Sequence, residues 1–177
     1  MAREIPRIFN NIDTNELQNA QSGHHYGVLK DYNYSLGLSV CFRQWSDETH
    51  CRFLHGYALK ISIEFAAIEL DNKNWVVPFG GLKEIKSYLI SIFDHKTLIA
   101  QNDPELENFK LMHQAEMIDM IIVPAIGIEI FARLIFKYIE EWLSSNNFSN
   151  RIALRKVTIR EHDGNGAYYE NNKIEFK

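Results

Sequence analysis

A chain of 177 residues with a 46% hydrophobic and 24% charged share has the composition of a globular domain and the length to bury a core. Its formal net charge of -4 excludes a general nucleic-acid binder, and no apolar run reaches the roughly 20 residues that a membrane-spanning helix needs. Two cysteines, Cys41 and Cys51, are too few for a disulfide framework, and the first residues carry no apolar signal core, so a cytoplasmic protein with free thiols is the expectation.

Residues 1–33 are polar and irregular, end in QSGHHYG, and read as an N-terminal extension or arm. The remainder, 34–177, reads as one domain. YSLGLSVCFRQW, from Tyr34, is rich in strand formers. In YALKISIEF, Leu59, Ile61, Ile63 and Phe65 alternate with Lys60, Ser62 and Glu64, the period of a half-buried strand. These two segments should pair as an antiparallel hairpin. DNKN is a turn signal, and WVVPF reads as a short strand with Pro78 at its end. The next segment places Leu82, Ile85, Leu89 and Ile92 on one helical face and stops before Asp94. LIAQNDPELENFKLMHQAEM reads as loop plus a short helix, and IDMIIVP as a strand. The longest helix follows, with Ile128, Phe131, Ile135, Tyr138 or Ile139, and Trp142 along one stripe. RIALRKVTIREH is a strand, DGNG a turn, and AYYENNKIEFK the closing segment. Strand pairs flanking two helices predict an α+β fold, an antiparallel sheet with two main helices on one face.

Ionisable groups stand at the ends of these apolar elements. Carrying the alternation back from Leu59 puts Tyr57, His55 and Phe53 on the inward face, and Cys51 too if the strand runs that far. A cysteine beside His50 and near His55 suits acid/base thiol chemistry. His55 alone reads equally well as a satisfied edge histidine. Asp94 and His95 adjoin at a helix end, where a carboxylate can orient an imidazole, although neighbours in sequence do not usually bond each other. In VTIRE, Val157 and Ile159 share a face with Glu161, so the apolar stripe ends in a carboxylate able to accept two parallel N–H donors. His162 has the opposite parity. Glu129, at the start of the long helix, is accounted for by the helix dipole and is left outside the site.

A cysteine followed by LHG opening a strand, WVVPFGGLK, FDHKTL, a helix start with Pro and Glu, and VTIRE occur in this order. Together they resemble the 6-pyruvoyl-tetrahydropterin synthase and 6-carboxy-tetrahydropterin synthase family, the latter the queuosine-pathway member, over roughly Tyr34 to Tyr169. The resemblance implies the tunnelling fold, a homo-oligomer (a hexamer of two trimers) and a pterin substrate, 7,8-dihydroneopterin triphosphate. The lyase it implies eliminates triphosphate from this substrate and rearranges or cleaves the substrate's side chain. It implies Cys51 as catalytic base, Asp94 and His95 as an assisting pair often lent by a neighbouring subunit, and Glu161 as the anchor of the pterin ring.

The family also holds zinc with three histidines, and here the motifs depart. His55 remains, Tyr57 stands at the second position, and the first strand has Phe42 or Arg43 where a histidine is usual. Pro78 replaces a common aspartate, and PAIGIE replaces Pro-Thr before the helix glutamate. Three protein ligands are usual in a catalytic zinc site, so the expectation is a lost metal with His55 as a remnant. The alternative is a site rebuilt with His50, His24 or His25. Tyr57 either fills the vacated volume or donates a hydrogen bond there. Besides the lyase, two functions are compatible with these residues: a metal-independent dihydropterin aldolase-type enzyme, and an inactive homologue that binds a pterin or purine-like base.

Overall fold

A computed structural model describes residues 17–172. It has seven strands, β1 (Tyr26–Tyr32), β2 (Leu38–Phe42), β3 (His55–Ala67), β4 (Lys96–Ala100), β5 (Met120–Val123), β6 (Ile152–His162) and β7 (Asn165–Glu170). Three helices of the described residues matter here: α1 (Lys83–Phe93), α2 (Leu106–Gln114) and α3 (Ile128–Ser145). The strands form one sheet in the order β5-β4-β2-β3-β6-β7, with β1 also pairing β3. The fold is α+β as the pattern predicted.

The sheet is mixed rather than antiparallel, because β4 pairs in parallel with both β2 and β5. β4 was expected to be loop. Its last four residues, Thr97 to Ala100, are all buried, so the segment lacks the alternation that marks a half-solvated strand. β1 also lies where an arm was expected. It pairs along its whole length with β3, from Tyr26 opposite Ala67 to Tyr32 opposite Ile61. The predicted strand from Tyr34 shrinks to β2, since Tyr34–Leu36 form a 3-10 turn ended by Gly37 at φ 75°, a left-handed conformation that favours glycine.

Trp75–Phe79 is not a strand. Val76 and Val77 are buried, but their backbone runs in bends into a 3-10 turn at Phe79–Leu82. The Arg151 guanidinium donates to the carbonyls of Glu69, Trp75 and Val76, taking the place of a partner strand. The backbone acceptors are satisfied without a ladder.

The core lies between one sheet face and the paired helices α1 and α3. Leu38, Val40 and Phe42 of β2, Leu59 to Phe65 of β3, and Val157 and Ile159 of β6 meet Ile85, Leu89 and Phe93 of α1 and Phe131, Ile135 and Ile139 of α3. Each such buried side chain contributes about 1.5–3 kcal/mol. The helices are joined by the stacked rings of Tyr88 and Tyr138, 3.6 Å apart, and by the Trp142 Nε1–H donating to Glu84 at 2.6 Å. At the far end of β2, Arg43 donates to both carboxylate oxygens of buried Asp103, at 2.9 and 2.5 Å. None of the described helices is long and apolar enough to cross a membrane.

Candidate active site

The start of β3 sets the geometry. A Cβ on Gly56 would lie 3.0 Å from Cys41 Sγ and 3.1 Å from the Val40 carbonyl oxygen, so only glycine lets β2 approach this closely. Gly56 and Cys41 are Cα partners, as are Phe42 with His55 and Val40 with Tyr57. Alternation then places Phe42, His55 and Tyr57 together on the helix-facing side. Their ring centres lie 5.8 Å (Phe42–His55), 5.6 Å (Phe42–Tyr57) and 5.4 Å (His55–Tyr57) apart. His55 Nδ1 is 2.6 Å from the Phe53 carbonyl oxygen. A carbonyl only accepts, so Nδ1 carries the proton, and in the neutral ring Nε2 is left as an acceptor.

The inward alternation does not continue before His55. Phe53 is exposed, and His50–Arg52 form a 3-10 turn. Cys51 is a half-buried free thiol, held beside the end of β2 because its carbonyl accepts from the Gln44 amide at 2.9 Å. Glu161 closes the stripe of Val157 and Ile159 on β6, as predicted. Burial raises its carboxyl above the ordinary value, the charges of His55 and His162 oppose the rise, and Glu129 adds to it. Burial likewise raises the Tyr57 phenol, and the negative charges of Glu161 and Cys51 add to the effect, so Tyr57 is a hydrogen-bond donor at neutral pH.

Glu129 therefore belongs to this environment, although the sequence reading had left it out. A local explanation, the helix dipole, was sufficient and masked the tertiary one. Glu129 sits in the first turn of α3, and Gly127, at φ 139°, turns the chain into that helix. Gln44 Nε2 donates to the Ile126 carbonyl at 3.4 Å, tying this loop to the segment that carries Cys51.

Asp94 and His95 lie elsewhere. His95 Nδ1 donates directly to Asp94 Oδ1 at 2.7 Å, against the expectation for adjacent residues. The reason is the backbone: His95 adopts φ 57°, which folds its side chain back over the Asp94 carboxylate. The bond leaves Nε2 outward on a side chain that is 85% exposed. The His95 amide donates to the Ser39 carbonyl at 2.7 Å, whereas Cys51 is held at Gln44. The two anchor points, Ser39 and Gln44, lie five residues apart in the chain. One chain thus gathers Cys51, His55, Tyr57, Glu129 and Glu161 around the start of β3, and holds Asp94 and His95 on the other side of β2, where β4 pairs.

Among the described residues, no three His, Cys, Asp or Glu side chains stand close enough to hold one metal ion. His25 lies against Arg155, 3.0 Å from its guanidinium, and the neighbouring Tyr26 pairs with Ala67. That point is twelve residues along β3 from His55, roughly 40 Å away. His24 and His25 cannot join His55 in one chain. The donor set at His55 does not fit a three-histidine zinc site, because Phe42 has no donor atom and Tyr57 offers a phenol instead of an imidazole.

The sequence profile of the family described as 6-pyruvoyl tetrahydropterin synthase matches residues 34–172. The chain belongs to this family. Among curated relatives it is similar to the 6-carboxy-5,6,7,8-tetrahydropterin synthase of Rickettsia felis, 33% identical over 60 residues, covering 33% of this chain and 44% of that protein. The enzyme of the same name from Rickettsia typhi is 35% identical over 57 residues, 32% and 41% of the two chains. The match thus spans less than half the length of these curated relatives. Among solved structures, an uncharacterized protein from Wolinella succinogenes superimposes with a TM-score of 0.69 at 18% identity, over 85% of this chain and 100% of that one. The 6-pyruvoyl tetrahydropterin synthase of Plasmodium vivax gives a TM-score of 0.61 at 14% identity, over 85% and 99%. At these identities the structural likeness speaks for the fold. Family membership makes an enzymatic, pterin-related role the frame for the site.

Proposed function

We propose that the protein is a lyase of the 6-carboxy-tetrahydropterin synthase type, acting on 7,8-dihydroneopterin triphosphate by loss of triphosphate and cleavage of the side chain, a queuosine-pathway reaction. The observation that carries this reading is the half-buried Glu161 carboxylate in the field of His55 and Tyr57, with Cys51 near Tyr57. Glu161 accepts two parallel N–H donors from the aminopyrimidine edge of the pterin. Cys51, at the rim, takes a proton from the substrate side chain as its thiolate. The Asp94–His95 pair completes the proton transfers, with Asp94 holding Nδ1–H and the outward Nε2 exchanging the proton.

Within one chain the outward Nε2 of His95 lies across β2 from the group at the start of β3, on the β4 side. The working site therefore takes Cys51 from one copy and Asp94–His95 from a second, in a homo-oligomer that the family resemblance puts at a hexamer. Since no step here passes through a metal, a simple acid/base cleavage of the dihydropterin side chain, of the aldolase type, is the second reading.

Turnover of 7,8-dihydroneopterin triphosphate, followed by mass spectrometry of the product, separates the two. Neither Cys51→Ala nor His95→Ala alone should turn over substrate. Mixed after subunit exchange, the two variants should regain activity at about a quarter of the sites, because that fraction pairs two intact halves. No product from any dihydropterin, with ligand binding lost in Glu161→Gln but kept in Cys51→Ala, would instead identify an inactive pterin-binding protein.

A further inference from the structure

The rings of Phe42, His55 and Tyr57 stand at the corners of a nearly equilateral triangle, with sides of 5.8, 5.6 and 5.4 Å. Three imidazoles bound to one tetrahedral metal at about 2.0–2.1 Å would have ring centres roughly 5 Å apart. The backbone therefore keeps the spacing of a three-imidazole site while the side chains abandon its donors. Phe42 is 4% exposed and packs edge-on against Phe131 at 5.4 Å, so it serves the core. The polar groups left on the triangle are the Tyr57 hydroxyl and His55 Nε2, the latter free because Nδ1 is committed to the Phe53 carbonyl.

We propose that this triangle is a metal-free recognition subsite, in which the Tyr57 hydroxyl donates and His55 Nε2 accepts hydrogen bonds to the hydroxyl groups of the ligand's side chain. The proposal rests on the pterin reading above and adds which atoms select the side chain. Phe42 and Phe131 supply an apolar wall behind it, which strengthens each hydrogen bond by excluding water. The two groups are complementary to a hydroxylated chain: a phenol gives its proton to one oxygen, and a neutral imidazole takes the proton of another. A metal would polarise those oxygens from a single point. The hydroxyl and the imidazole instead read them by direction.

The test measures equilibrium binding of two probes, 7,8-dihydroneopterin and a 6-unsubstituted dihydropterin that lacks the side chain. Tyr57→Phe keeps the ring and its packing. It should weaken the first probe about fivefold, the effect of one hydrogen bond, and leave the second unchanged. Equal loss for both probes, or loss for neither, overturns the subsite while Glu161-dependent binding of both probes upholds the pterin reading. Binding of neither probe by the native protein overturns both. Metal analysis gives an independent readout. The native protein, dialysed after exposure to zinc, should retain less than about 0.1 zinc per chain, and F42H/Y57H, folded by circular dichroism, about one per chain. One tightly held zinc per native chain, lost in His55→Ala, overturns the proposal. So does a folded double variant that binds none.

Discussion

The two ends of β3 are the same strand put to opposite uses. From Leu59 to Ala67 its inward residues are fully buried, and from Ile61 onward the strand is flanked by β1 on one side and β6 on the other. From His55 to Ala58 it has β2 beside it, and the inward positions carry an imidazole and a phenol that remain half-exposed. The period of two runs through both halves. What changes is which strand lies beside β3 and how deeply its inward side chains are buried, and chemistry-bearing side chains occur where burial becomes partial. The dry end supplies rigidity, and the open end spends some of it on groups held ready for a ligand.

Substitutions at each end should separate these roles. The largest effect belongs to the dry end: Phe65→Ala should cost about 3–5 kcal/mol in urea unfolding, with no change in the relative affinity for the two pterin probes. Next is the tie beneath the open end. Asp103→Ala strands the Arg43 guanidinium and should cost about 3 kcal/mol. Burial raises the Asp103 carboxyl, but the Arg43 hydrogen bond, the Glu105 amide and the Arg43 charge outweigh it, and its net position is below the ordinary value. A depressed carboxyl contributes stability that is present above its unfolded pKa, about 3.9, and lost as pH falls through the folded value. The acid limb of native stability should therefore flatten in the variant.

Gly56→Ala sits at the junction of the two regimes. The added methyl meets Cys41 Sγ and the Val40 carbonyl, so β2 must shift, at about 1–3 kcal/mol. Because His55 and Tyr57 move with it, ligand affinity should fall as well, a combination that neither end alone produces. Glu161→Gln should have a smaller effect of opposite sign. Its raised carboxyl contributes stability fully present below the unfolded pKa, about 4.3, and lost as pH rises through the folded value. Melting temperatures measured across pH should show the variant gaining on the native protein above the carboxylate range, while pterin binding disappears. The smallest effect is at His95. His95→Ala should leave stability within about 0.5 kcal/mol, since the side chain is exposed and bonded to its neighbour alone. A larger loss would mean that the pair supports the fold.

Much of this molecule was legible from local pattern. The alternation of Leu59 to Phe65 named β3 and its buried face, and the stripe from Phe131 to Trp142 named α3. The carboxylate ending the Val157–Ile159 stripe pointed to Glu161 without reference to any neighbour. Other parts were not legible. Thr97 to Ala100 is buried on both faces and has no period to read. The arm-like stretch before Tyr34 hides β1 among polar neighbours. Val76 and Val77 look like strand residues because they are buried, yet the Val76 carbonyl is satisfied by Arg151, which lies 75 residues away in the chain.

The sequence by itself determined which residues face inward, because side-chain period is a property of the local backbone. It also left Phe42 or Arg43 where the family resemblance implies a histidine, and the pairing of Phe42 with His55 singles out Phe42. Only the tertiary structure decided that Glu129 acts on Glu161, and that His95 stands across β2 from His55 and Tyr57. Those outcomes depend on which strands become neighbours and in what register, set by contacts distant along the chain. His95 shows both levels at once: the dipeptide was visible, but the left-handed backbone that lets it bond Asp94 was not.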